Sequence, residues 1–149
     1  MSANKIKILS ISEKSFFLEK ELLPNTLEDC EKELHPGIGF KIMIDKENSK
    51  LTFDTTIFYA NNTRIVSSIE YLYTLLIEDI DKIVISSKDD KLLIQDSFFD
   101  VIIPEIYITG RALFNKNLIN TPIENLYLPF NGYADLLKQI KEDNNKENR

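Results

Sequence analysis

Three runs in the middle of the chain alternate apolar and polar residues with a period of two. In the first, Phe40, Ile42 and Ile44 alternate with Lys41, Met43 and Asp45. In the second, Leu51, Phe53, Thr55, Ile57 and Tyr59 share one side. In the third, Ile65, Ile69, Tyr71, Tyr73, Leu75 and Ile77 do so. Successive side chains of a strand point to opposite faces, so each run predicts a strand with one buried face. The other face of the third run (Val66, Ser68, Glu70, Leu72, Thr74) is half apolar and predicts partial cover by a helix or a second subunit. The turn KENSK separates the first pair of runs. Asn61-Asn62, residues that tolerate a left-handed backbone, separates the second pair.

An earlier apolar run covers residues 5–19. Ile6 and Ile8 have one parity while Leu9 and Ile11 have the other, which predicts a bulge near Leu9. Phe16, Phe17 and Leu18 then form a continuous apolar patch. Residues 20–37, with Pro24, Pro36 and Gly37, predict a long crossover loop with a helical turn over Leu27 to Leu34.

Downstream the pattern weakens, with SSKDDK as a polar turn between two short apolar segments. Asp96-Ser97 with Asp100 resembles a capping arrangement. Pro104 suits the first turn of a helix, so the main helix is expected from Pro104 to about Lys116. Its sheet side would carry Ile106, Thr109, Gly110, Leu113 and Phe114, with Gly110 permitting close packing. Asn131 predicts an N-cap, and Tyr133, Leu136, Leu137 and Ile140 predict an amphipathic final helix. The tail KEDNNKENR has no apolar residue and predicts disorder. Strands followed by helices predict an α+β fold: a four-stranded antiparallel sheet with C-terminal helices packed on one face. One domain would span residues 1–140, and a disordered polar tail residues 141–149.

Composition narrows the function classes. A chain of 149 residues with 43% hydrophobic content can fold around one core. No apolar run is long enough to span a bilayer, which predicts no membrane insertion. MSANKIKILS lacks a signal-peptide pattern and Cys30 is the sole cysteine, so a cytoplasmic protein is expected. The net charge of −6, with bases interleaved among acids, opposes binding to nucleic acid or anionic lipid.

Catalytic groups are sparse. His35 is the single histidine and sits in a predicted turn, and Cys30 lies in an acidic loop without a second thiol. The acidic pairs Glu28-Asp29, Asp79/Asp81 and Asp89-Asp90 lack a glycine-spaced ligand loop. Only four glycines occur, and none forms a phosphate loop. No enzyme, metal or cofactor is expected. Apolar strand faces remain as the chemistry on offer, either as core and subunit interface or as an exposed groove for apolar peptide.

One resemblance sharpens this. Pro104 opening the main helix, Gly110-Arg111 within it, and Pro129 with Asn131 before the last helix follow a first strand, a crossover bounded by Pro24 and Pro36, and a three-strand meander. This order over most of the chain resembles the SecB family of protein-export chaperones. The resemblance implies a homodimer or a homotetramer made of two dimers. It implies ATP-independent holding of unfolded or nascent polypeptides in a groove between sheet, crossover loop and helices, with the translocase motor SecA as a further partner. On this chain the implied peptide-binding groove has Phe40 and Ile42 as its floor and Leu22, Leu23 and Leu34 as its crossover wall. Tyr127 and Phe130 would close one end. The family's crossover aromatics are replaced by leucines, Leu27 among them, and the acids of SEKSFFLEK do not align with the surface that meets SecA. Two other readings stay open: a dedicated binding protein for a single partner, such as an antitoxin, without a role in export, and a small-molecule-binding or enzymatic α+β domain.

Overall fold

Period-two alternation folds here into a single sheet. The computed structural model describes residues 5–86 and 91–147. Strands β1 (Ile6–Leu18), β2 (His35–Asp45), β3 (Lys50–Ala60) and β4 (Ile65–Ile77) pair antiparallel in the order β1-β4-β3-β2. Segment 19–34 carries the chain from one edge of the sheet to the other, so the first strand pairs with the fourth. That crossover contains a single 3-10 turn (Lys20–Leu22) and α1 (Leu27–Glu33), whose N-cap Thr26 accepts from the Asp29 amide at 3.1 Å. Residues His35, Pro36 and Gly37, expected as loop, instead begin β2. An edge strand tolerates a proline because its outward amide needs no partner.

Two turns work differently from their expectation. Asn61 has no left-handed backbone; its Oδ1 accepts from the amides of Thr63 and Arg64, both at 2.9 Å. Left-handed conformations instead occur at Ser49, Asp79 and Asn120. The β3–β4 ladder also slips by one residue between Tyr59 and Ala60. Val66 becomes the extra residue and is buried, while Ile65 leaves the core face and is exposed.

The polar segment after β4 joins a short hairpin, β5 (Val84–Ser86) with β6 (Leu92–Ile94). The pair Asp89-Asp90 lies outside the described residues. Helix α2 (Asp96–Leu118) starts well before the expected Pro104, which stands inside it. The Asp96-Ser97-Asp100 signal marks the helix start itself. Buried Ile102, Ile103 and Ile106 hold both sides of the proline on the sheet, and their packing outweighs the missing hydrogen bond.

Beneath α2, Phe53, Ile57, Ile69, Tyr71, Leu75 and Ile77 are fully buried. Gly110 sits against Tyr71 and Ile57, where a Cβ would overlap both, as close packing required. The tyrosines reach polar partners from inside the core: Tyr71 donates to the Ile106 carbonyl at 2.6 Å, Tyr59 to that of Leu126 at 3.2 Å, and Tyr107 to that of Pro129.

Helix α3 (Ala134–Glu147) begins after Asn131, whose carbonyl accepts from the Ala134 amide at 3.0 Å. Asn131 is therefore part of the preceding turn and not the cap. Tyr133, Leu136, Leu137 and Ile140 form the half-buried face expected of them. The helix then continues through residues 141–147, which the sequence pattern assigned to a disordered tail. Asn144 donates to the Ile94 carbonyl at 3.0 Å and to Asp96 at 2.9 Å, and Lys141 pairs with Asp100 at 2.5 Å. This docking is polar, so apolar periodicity does not register it.

Candidate binding surface

The residues expected to line a peptide groove are in different environments. Phe40 does not form an open floor: its ring packs edge-on to Phe53 at 5.3 Å and stacks on Phe99 at 6.5 Å. The early start of α2 brings Phe98 and Phe99 over this part of the sheet and fills the space between β2 and the helix. Ile42, Leu22 and Leu23 are half-buried against the core. Leu34 is inside it at 4% exposure, packed in the same core as Cys30. Tyr127 and Phe130 stand in solvent at 69% and 83% exposure, because alternation in Leu126-Tyr127-Leu128 turns the two leucines inward. Arg111 lies over the rings of Phe130 and Tyr107, at 5.8 and 5.7 Å. The seven residues thus divide between a closed core wall and an open aromatic corner.

A larger apolar surface lies at the opposite edge of the sheet. Helix α2 covers β3 and β4 but leaves the helix-side face of β1 open. On that face Ile8, Ile11 and Phe16 stand opposite Leu75, Tyr73 and Ile69 of β4, and their exposures are 56%, 42% and 36%. The bulge between Ile8 and Ser10 brings Ile8 and Ile11, which differ in parity, to one side. The facing flank of α2 is fixed by Lys116, which pairs with Glu13 at 3.0 Å, and by Phe114, whose ring meets Phe16 at 6.3 Å. Burial pushes the Tyr73 phenol up, Glu105 raises it further, and a hydrogen bond from Thr109 opposes them. Glu105 and Thr109 therefore also border β4 on this flank. Val101 and Ile108, 49% and 47% exposed, lie nearly opposite the sheet-packed Gly110 around α2 and so face away from the sheet. A shallow apolar strip results, formed by Ile8, Ile11 and Phe16 on β1 and bordered by Phe114 and Lys116 of α2.

One feature hid this strip from the sequence. Alternation marks residues with an apolar face but does not say that β1 is at an edge, where no described element lies over it.

The outer face of the sheet is held by polar pairs. Lys14 bridges Asp54 at 3.0 Å and Glu70 at 3.5 Å, and the hydroxyls of Thr52 and Thr74 meet at 3.2 Å. Leu72 and Leu76 are half-buried there by neighbouring strands, without a helix over them. Surface cavities of about 300 to 350 Å³ are shallow and mixed in lining, for example Lys5, Lys82, Gln95 and Ser97, or Asp54, Thr56, Phe58 and Glu70.

His35 is exposed at the start of β2 beside Lys32, Asn61 and Asn62. Cys30 is buried at 2% exposure, and burial, then Asp29 and Glu33, push its thiol up, away from the nucleophilic thiolate. Asp79 pairs with Lys5 at 2.7 Å, Asp81 with Lys46 at 3.3 Å, and Glu28 with Lys32 at 3.2 Å. Among the described residues no three His, Cys, Asp or Glu side chains converge to hold a metal ion. No described helix is long and apolar enough to cross a membrane. Comparison with protein-family models gave no match, and comparison with curated proteins gave none.

Proposed function

We propose that this chain is a passive, ATP-independent chaperone that holds unfolded or nascent polypeptides by apolar contact, in the manner of the SecB family it resembles. The observation that carries the reading is the strip of Ile8, Ile11 and Phe16, three large apolar side chains left partly exposed on the helix-side face of β1. Soluble proteins seldom leave such contiguous surface open without a partner. Apolar burial has no directionality, which suits clients of varied sequence, and contributes roughly 25 cal/mol per Å². The order of strands, crossover and helices is consistent with the family. A role in export and contact with SecA belong to the same proposal, as does cytoplasmic residence.

Relative to the resemblance, the binding strip moves from the β2 side to the β1 side of α2, because Phe99 occupies the first and no described residue covers the second. The test is a chemically denatured client diluted into buffer with and without the protein, followed by light scattering. Suppression of aggregation without nucleotide is expected. Unchanged scattering for every client tried would remove the chaperone reading.

A second reading rests on the aromatic corner. Tyr127, Phe130 and Arg111 are the residue types that anchor specific interfaces, and Phe130 is nearly free of intrachain cover. This favours a dedicated binding protein for one partner, without a role in export. A single stoichiometric partner lost on Phe130→Ala, together with no protection of unrelated clients, is the result that would select it.

A further inference from the structure

Resting on the second reading above, a dedicated partner at the aromatic corner, we infer that Arg111, Tyr127 and Phe130 dock an extended peptide segment of that partner carrying one carboxylate beside an aromatic or aliphatic residue. The corner is held in place from inside. Tyr59 donates to the Leu126 carbonyl at 3.2 Å and Tyr107 to that of Pro129, so two core side chains pin the backbone on either side of Tyr127. Ile123, Leu126 and Leu128 are buried beneath it. Gly132 lies against the Tyr107 hydroxyl, where a Cβ would overlap it. A backbone fixed in this way loses little freedom on binding, so the aromatic side chains it displays are already placed for a partner.

The segment also leaves main-chain groups unused. Burial alternates along Leu126-Tyr127-Leu128, with both leucines inside and Tyr127 exposed. Neither the amide nor the carbonyl of Tyr127 has a hydrogen-bond partner among the described residues. In extended backbone both groups of one residue point to the same edge, so an extended partner can pair with Tyr127 through two hydrogen bonds, as a strand adds to a sheet. Pro129 has no amide and confines the pairing to a short stretch. Two main-chain bonds position a partner but carry little sequence preference, so selectivity falls to the side chains.

Arg111 sets that preference. Its guanidinium lies over the rings of Phe130 and Tyr107 and has no carboxylate partner among the described residues. Arg64, the other described arginine, is paired with Glu19. Aromatic faces hold the guanidinium plane while leaving its N–H edge free, and that fork matches a carboxylate in a bidentate pair. A phosphate carries close to two charges and is usually met by a cluster of arginines, whereas Arg111 is the one described arginine at this corner. A chain of net charge −6 repels a run of acids, so one carboxylate fits and several do not. Phe130, 83% exposed, offers the apolar contact beside it.

Random peptides displayed on phage and selected on the full chain provide the test. Sequences that bind wild type and are lost on Phe130→Ala should share one Asp or Glu near an aromatic or aliphatic residue. Arg111→Glu, with circular dichroism unchanged, should select a basic residue in place of the acid. Synthetic peptides from the wild-type selection should bind Arg111→Glu roughly tenfold or more weakly, and lysine in place of their acid should restore affinity for that variant. Arg111→Gln, which removes the charge alone, should show the same loss if the reversal disturbs the fold. Phe130-dependent peptides that lack an acid, or that bind both Arg111 variants as well as wild type, overturn the acidic partner but leave a partner at the corner standing. If no selected sequence depends on Phe130, the corner itself is not a docking site and the proposal fails with it. None of these readouts involves an unfolded client, so the chaperone reading stands or falls separately.

Discussion

Gly110 lets α2 approach the sheet closely enough for Tyr71 to reach the Ile106 carbonyl. Gly110→Ala must displace Tyr71 or Ile57, both fully buried, and overpacking of this kind costs about 1–3 kcal/mol. Urea unfolding should show that loss, and an unchanged midpoint would mean the helix sits further from the sheet. The four core tyrosines also make a pH prediction. Burial pushes the phenols of Tyr59, Tyr71, Tyr73 and Tyr107 above their ordinary value. A raised folded pKa contributes stability that is complete below the unfolded value, about 10, and is lost as pH rises above it. The protein should therefore lose stability at alkaline pH, with tyrosinate absorbance rising together with the loss of circular dichroism. Tyrosinate appearing in full while the fold persists would contradict this burial.

At the scale of elements, removing residues 141–149 is the informative change. Were they a free tail, stability would not move. With Asn144 bonded to Ile94 and Asp96, and Lys141 paired with Asp100, removal should cost on the order of 1 kcal/mol, read by denaturant unfolding. The contrast marks what apolar pattern conveys. Strands β2, β3 and β4 were legible because one face of each is buried, and the bulge near Leu9 was legible from a change of parity. The start of α2 was not, since local helix signals at Asp96 and Pro104 compete and only packing on the sheet decides between them. Leu34 was misjudged for the same reason: a leucine at the end of a proline-bounded crossover has no period to show that it points inward. Leu22→Asp with Leu34→Asp, which appears harmless if the crossover is a surface loop, would instead bury a carboxylate at Leu34 and destabilise the fold by several kcal/mol.

The whole molecule presents a sheet with one layer of helices that is too narrow to cover it, and the uncovered margin is the β1 side. Contacts made there are apolar, so client holding should persist at moderate salt, where capture by the acidic surface would weaken. The most direct measurement compares wild type with Ile8→Asp/Ile11→Asp in protecting a denatured client from aggregation. Both residues are about half exposed on the helix-side face of β1, so the variant should keep its fold. The prediction is near-stoichiometric protection by wild type without nucleotide, and little or none by the variant. A folded variant that protects as well as wild type would contradict the assignment of the binding surface. Wild type that protects no client would contradict the function.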